Sequence, residues 1–205
     1  MYPTTDHGSK IEALAAQLGG TARQWTHPSG EIYHPYGRII TLAYGLEIFV
    51  NTDWKSNDKL NATLHLENGL SAHKPYRDQQ DWPSVSVGAG RPLDKLAADI
   101  TRRLLPDARA YLAECIKRKA EHDDTADQTQ AIAQRLALAG GLKVRGEISN
   151  NDYPRLRLIG YTQDGPSVDA EVFGESIKIE LRSLTASQAE AVLVALKGAE
   201  CQPTV

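Results

Sequence analysis

Two segments of this chain follow one script. Near the N-terminus, SKIEALAAQLGG places Ile11, Leu14, Ala15 and Leu18 at helical spacing and ends on Gly19 and Gly20. Further on, TADQTQAIAQRLALAGG places Ile132, Ala133 and Leu136 the same way and ends on Gly140 and Gly141. After each glycine pair the apolar period drops from helical spacing to simple alternation. This helix, stop and alternation order limits the fold more than any other feature. It demands antiparallel strands beside each helix, twice over.

The strands of the second half are read from Lys143 to Ser149, Arg155 to Tyr161, Ser167 to Phe173 and Ser176 to Arg182. In the last of these, Ile177, Ile179 and Leu181 alternate with Lys178, Glu180 and Arg182. Turn-forming residues separate the runs, with Gly174 in the third gap. The first half offers strands at Thr21 to Thr26, Arg38 to Tyr44, Leu46 to Thr52, Leu60 to Glu67 and Ser84 to Gly88. Three helix starts show capping-box spacing: Ser9 with Glu12, Thr125 with Gln128, and Thr185 with Gln188. The helix after Thr185 is expected to bury Ala189, Val192, Leu193 and Leu196 and to stop at Gly198.

The expected fold is therefore α+β, with two similarly ordered halves, each an antiparallel sheet with flanking helices. The N-terminal half, 1–122, closes on a long kinked helix. The C-terminal half, 123–205, reads helix, four strands, helix. With 205 residues and 41% hydrophobic content, burial alone supports such a fold without disulfide or metal staples. Cys115 and Cys201 have no framework spacing and read as free thiols of a cytoplasmic protein. The N-terminal residues lack the pattern of a secretory signal, and no run is long enough for a membrane span.

The stretch from Arg91 to Lys119 is locally basic, with eight cations against four carboxylates, while the whole chain carries −3. Leu93, Leu96, Ala97, Ile100 and Leu104 make one buried helical face. Pro106 then kinks the helix or starts another. Tyr111, Leu112, Cys115, Ile116 and Lys119 continue the stripe. Lys95, Arg102 and Arg109 recur every seven residues and share a face if the helix stays straight. Arg91, Lys95, Arg102, Arg103 and Arg109 are thus candidates for gripping a partner, joined by Arg155 and Arg157 on the second sheet. The competing reading is a solvated face laced by helical pairs such as Asp99 with Arg103.

AADITRRLLPDARAYL resembles a helix of small phage and mobile-element proteins that carry an I-x-R-R-L-L-P signature, here Ile100 to Pro106. The resemblance implies a genomic context and assigns no activity. The order helix, three strands, helix is also similar to the double-stranded-RNA-binding domain. The family's run of lysines at the helix start is missing here, where only Arg91 and Lys95 correspond.

Candidate chemistry is sparse. His27-Pro28-x-Gly30 and His34-Pro35-x-Gly37 are tandem turn motifs with Glu31 between them. Two imidazoles and a carboxylate suit a metal ion, with His65 and His73 as possible additions, but turns carrying solvated histidines fit the same residues. GAGRP, Gly88 to Pro92, sits between a strand and a helix, where a phosphate would meet free N–H groups. No nucleophile elbow is present. Trp25, Trp54 and Trp82 fall near strand ends, as lids of a sheet or as a recognition patch. The expectation is a non-enzymatic macromolecule-binding protein without cofactor, encoded by a phage or mobile element. It would inhibit a host defence system by occupying a protein surface. Nucleic-acid binding through the basic helix and a metal-dependent enzyme at His27, Glu31 and His34 are the alternatives.

Overall fold

The computed structural model describes residues 7–26, 31–32, 36–53, 58–67, 69–75, 82–146, 148, 154–161 and 166–199. The protein is α+β, with one five-stranded and one four-stranded antiparallel sheet. The chain divides into two compact units, Met1–Lys119 and Ala120–Val205.

The first unit begins with α1 (Gly8–Gln17). A meander follows: β1 (Thr21–Gln24), β2 (Gly37–Thr41), β3 (Glu47–Thr52), β4 (Lys59–His65) and β5 (Ser84–Gly88), paired in that order. Helix α2 (Leu93–Arg103) and the start of α3 (Leu105–Gly140) complete it. Alternation decides the faces. Ile40, Ile48, Val50, Leu60, Ala62, Leu64, Val85 and Val87 point to one side, where Ile11, Leu14, Leu96, Ile100, Leu104 and Cys115 of the helices meet them. Burying each such side chain contributes about 1.5–3 kcal/mol. Helix α1 stops as its glycines require: Gly19 takes φ +73°, and the Gly19 and Gly20 N–H groups donate to the Ala16 and Ala15 carbonyls. The Ser9 and Glu12 box does not form. Helix α1 starts at Gly8, and Glu12 turns instead to Arg38, 3.5 Å away.

In the second unit, β6 (Lys143–Arg145), β7 (Leu156–Tyr161), β8 (Ser167–Phe173) and β9 (Ser176–Arg182) form an ordered meander, followed by α4 (Ala186–Ala199). Its core is small: Ala133 of α3 over Leu156, Leu158, Ala170 and Val172, with Ile132, Leu136, Ala137 and Leu142 at the margin. Thr129 ties helix to sheet, its hydroxyl accepting from the Gly174 N–H at 2.9 Å.

Three expectations about the helices need correcting. A fresh helix at Thr125 was expected, yet α3 runs unbroken from Leu105 to Gly140. The Thr125 hydroxyl donates to the Glu121 carbonyl, a bond inside a helix and not a cap. Nothing between Lys119 and Thr125 breaks a helix, so propagation costs less than a second nucleation. The break falls instead at Leu104, which leaves Pro106 in the first turn of α3, where proline is tolerated. Ile116 leaves the buried stripe and is half exposed. Finally, α4 does not bury its apolar side. Ala189 and Val192 are half-buried, while Leu193, Val194 and Leu196 are exposed. Helix α3 covers β7 and β8, while Ile177 and Ile179 on the same face of β9 also stay exposed. Thr185 and Gln188 do form the expected box, with the Thr185 N–H donating to Gln188 Oε1 at 2.9 Å.

Candidate functional site

The residues expected to grip a partner separate into paired and unpaired groups. Arg91 reaches Asp99, a buried carboxylate that also receives Arg102 at 3.3 Å. Lys95 lies 3.7 Å from Asp94. Arg103 and Arg109 are exposed, without an ion pair among the described residues. The seven-residue face of Lys95, Arg102 and Arg109 is interrupted, because the helix breaks at Leu104 between the last two. Asp99 partners Arg91 and Arg102, not Arg103 as the competing reading expected.

Two N–H groups of the GAGRP loop are spent within the fold. The Ala89 N–H donates to Asp58 O at 2.6 Å and the Arg91 N–H to Gly88 O at 3.2 Å. Lys10 Nζ donates to the carbonyls of Ala89 at 2.5 Å and Arg91 at 2.9 Å. The loop therefore presents carbonyls to a cation. His27 and His34 lie outside the described residues, and Glu31 is exposed. Among the described residues no three of His, Cys, Asp and Glu converge as metal ligands. Cys115 is buried in the core, and burial pushes its thiol up from the ordinary value.

Arg155 and Arg157 belong to a charged lattice on the second sheet. Arg157 grips Asp169 with two nitrogens, and Arg155 Nη1 lies 3.2 Å from Glu171. On β9, Lys178 and Arg182 flank Glu180 at 3.0 and 2.9 Å. The Arg157 hydrogen bonds hold the Asp169 carboxyl below its usual range, and Arg182 with Lys178 do the same for Glu180. Arg157, Asp169, Glu171, Lys178, Glu180 and Arg182 line a depression of about 330 Å³.

The sequence reading missed a constellation on the other face of the first sheet. Register brings Thr41, Glu47 and His65 side by side on β2, β3 and β4. Glu47 is only 8% exposed. Arg23 Nη2 donates to both its oxygens at 3.0 Å, and the Thr41 hydroxyl donates at 2.9 Å. His65 Nε2 stands 3.9 Å away. Burial pulls the His65 imidazole below its ordinary value, against the opposing pull of Glu47.

An aromatic groove adjoins this cluster. Trp25 meets Phe49 and His65 edge-on, with ring centres 5.0 and 5.2 Å apart. Trp82 donates to the Thr63 hydroxyl at 2.7 Å and packs on Tyr111. Lys74 Nζ lies 4.6 Å from the Trp82 ring centre. The space between Trp25, Phe49, Thr63, His65, Lys74 and Trp82 is about 270 Å³. One signal for it was available in LEIFV, where a single carboxylate interrupts an apolar strand. Comparison with family models, curated proteins and solved structures finds no match to this chain.

Proposed function

We propose that the chain is a non-enzymatic binding protein that acts by occupying the surface of a protein partner. The observation carrying this reading is the groove of Trp25, Phe49, His65 and Trp82 with Lys74 beside it. Aromatic side chains on a rigid sheet, with a cation alongside, are the usual anchors of protein recognition. The Arg23–Glu47–Thr41 bonds fix the strands beneath, so the rings are organised before a partner arrives. The resemblance of Ile100 to Pro106 to mobile-element proteins supports a host defence component as the partner. The test immobilises the full chain and a Trp25→Ala, Lys74→Glu variant whose circular dichroism is unchanged. A host protein held by the first and lost by the second supports the reading. Equal retention by both, or turnover of a small substrate by the purified chain, overturns it.

A second reading, nucleic-acid binding, is favoured by the unpaired Arg103 and Arg109. It requires affinity that falls steeply with salt. Unchanged gel shifts after Arg103→Glu with Arg109→Glu would exclude it.

A further inference from the structure

Among the described residues strand β9 is an edge of the second sheet, paired on one side with β8. A bare edge is a template for another strand, and proteins usually blunt it with proline, a bulge or an inward-pointing charge. Strand β9 has no proline, bulge or inward-pointing charge, and its charged residues, Lys178, Glu180 and Arg182, pair with one another on the opposite face. Its sequence is SIKIELR, and its inward-facing positions are Ile177, Ile179 and Leu181. Ile177 is 43% and Ile179 54% exposed.

The hairpin fixes which main-chain groups are free. Phe173 pairs with Ser176 across the two-residue turn Gly174–Glu175, with Gly174 at φ +52°. The pair closing such a turn exchanges hydrogen bonds, and bonding then alternates along the strand. Ser176, Lys178, Glu180 and Arg182 therefore spend their N–H and C=O groups on β8. Those of Ile177, Ile179 and Leu181 point outward.

We propose that β9 pairs antiparallel with β9 of a second copy of this chain, on a two-fold axis at Ile179. Charge complementarity selects both occupant and register. With Ile179 opposite itself, Ile177 faces Leu181 of the other copy, and Lys178 faces Glu180, twice by symmetry. The outward groups of Ile177, Ile179 and Leu181 then bond in reciprocal pairs, while Lys178 and Glu180 occupy the closer, non-bonded pairs. Centring on Lys178 sets that lysine against itself. Centring on Glu180 sets Glu180 against itself and Lys178 against Arg182. Centring on Leu181 runs into Ser183, whose φ of +60° ends the strand. Centring on Ile177 runs into the Gly174 turn. Only the Ile179 register overlaps the whole strand Ser176–Arg182. Within one copy Glu180 stands opposite Asp169, and Lys178, Arg182 and Arg157 already offset that like-charge pair, so Lys178 of the second copy joins a neutralised cluster. Such an interface is self-complementary, as a two-fold contact must be.

The test is sedimentation equilibrium of the full chain from roughly 5 to 500 μM, with three variants. The wild type is expected to dimerise. Lys178→Glu and Glu180→Lys each place like charges opposite one another at both symmetric sites, and each is expected to weaken the dimer roughly tenfold or more. Mixing these two variants restores opposite charges at both sites and is expected to give a heterodimer. The double swap restores the homodimer. Hydrogen exchange of the wild type needs no variant: amides of Ile177, Ile179 and Leu181 gain protection as concentration rises. A wild type that stays monomeric, exchange at these amides that is independent of concentration, or a dimer indifferent to both reversals overturns the proposal.

Discussion

The two sheets are built from the same order of elements but are finished differently. In the first unit, α1, α2 and the start of α3 share one sheet face, and the core runs from Ile11 to Cys115. In the second unit, α3 alone supplies the helical layer, over β7 and β8, and the core reduces to Ala133, Leu156, Leu158, Ala170 and Val172. Strand β9 and helix α4 keep exposed Ile177, Ile179, Leu193, Val194 and Leu196. Similar secondary structure thus yields one closed core and one open one. The difference lies in how many helices reach the sheet.

The sharpest way to break this comparison is to remove one core side chain from each unit. Ile48 and Leu158 are both fully buried. Replacing either by alanine costs about 2–5 kcal/mol. Trp25, Trp54 and Trp82 all belong to the first unit, so tryptophan fluorescence follows that unit alone. In urea, circular dichroism is expected to change before fluorescence, because the smaller core opens first. Leu158→Ala should move the early phase to lower urea and leave the fluorescence midpoint in place. Ile48→Ala should move the fluorescence midpoint. Coincident transitions in both variants would show one cooperative unit instead of two.

The next comparison concerns two glycines. A Cβ on Gly20 would stand 2.5 Å from the Thr41 carbonyl oxygen, main chain of a paired strand that cannot yield. A Cβ on Gly160 would stand 2.5 Å from a methyl at the end of the Leu142 side chain, which can rotate away. Gly20→Ala is expected to cost about 1–3 kcal/mol, and Gly160→Ala under about 1 kcal/mol. Urea midpoints of the two variants decide it. A larger loss at Gly160 would mean that Leu142 is held as firmly as main chain.

These particulars show what was legible beforehand. Strand positions were, because alternation is a local property: all nine strands of the described residues lie within or one residue beyond the runs read from the pattern. Stops were legible at Gly19 and at Gly140 with Gly141, where φ of +73° and +62° at Gly19 and Gly141 excludes most other residues. Starts were less so. Only Thr185 of the three capping boxes forms, because a box closes only where a helix is already free to begin. The Arg23, Thr41, Glu47 and His65 cluster was illegible for another reason. It depends on strand register, which joins residues up to 42 positions apart, from 23 to 65. The fate of Leu193 depended on whether α4 docks at all, a tertiary question that helical periodicity does not reach.

Charge offers a third comparison, with smaller effects. Glu47 is enclosed and accepts three hydrogen bonds from Arg23 and Thr41. Glu180 is open to water, its carboxylate bonded to Lys178 and Arg182. Glu47→Gln leaves Arg23 Nη2 poorly matched and is expected to cost about 1–2 kcal/mol in the fluorescence transition of the first unit. Glu180→Gln should leave the early circular-dichroism phase of the second unit where it stands, since exposed pairs contribute little to folding. Equal shifts from the two substitutions would remove the distinction between an enclosed and an open charge.

The smallest effect is a pH dependence confined to the first unit. His65 is held below its ordinary value of 6.5, first by burial and further by Arg23, while Glu47 and Glu67 pull the other way. The unfolded chain therefore binds a proton at a higher pH than the folded one does. Stability from this source is complete above 6.5 and is lost as pH falls from there through the folded value. The fluorescence midpoint is expected to drop between pH 7 and pH 5 by more than it does in His65→Gln, with no corresponding difference in the early circular-dichroism phase. A midpoint that rises on acidification would mean that the charged imidazole is the favoured form, and that Glu47 outweighs burial on this face of the sheet.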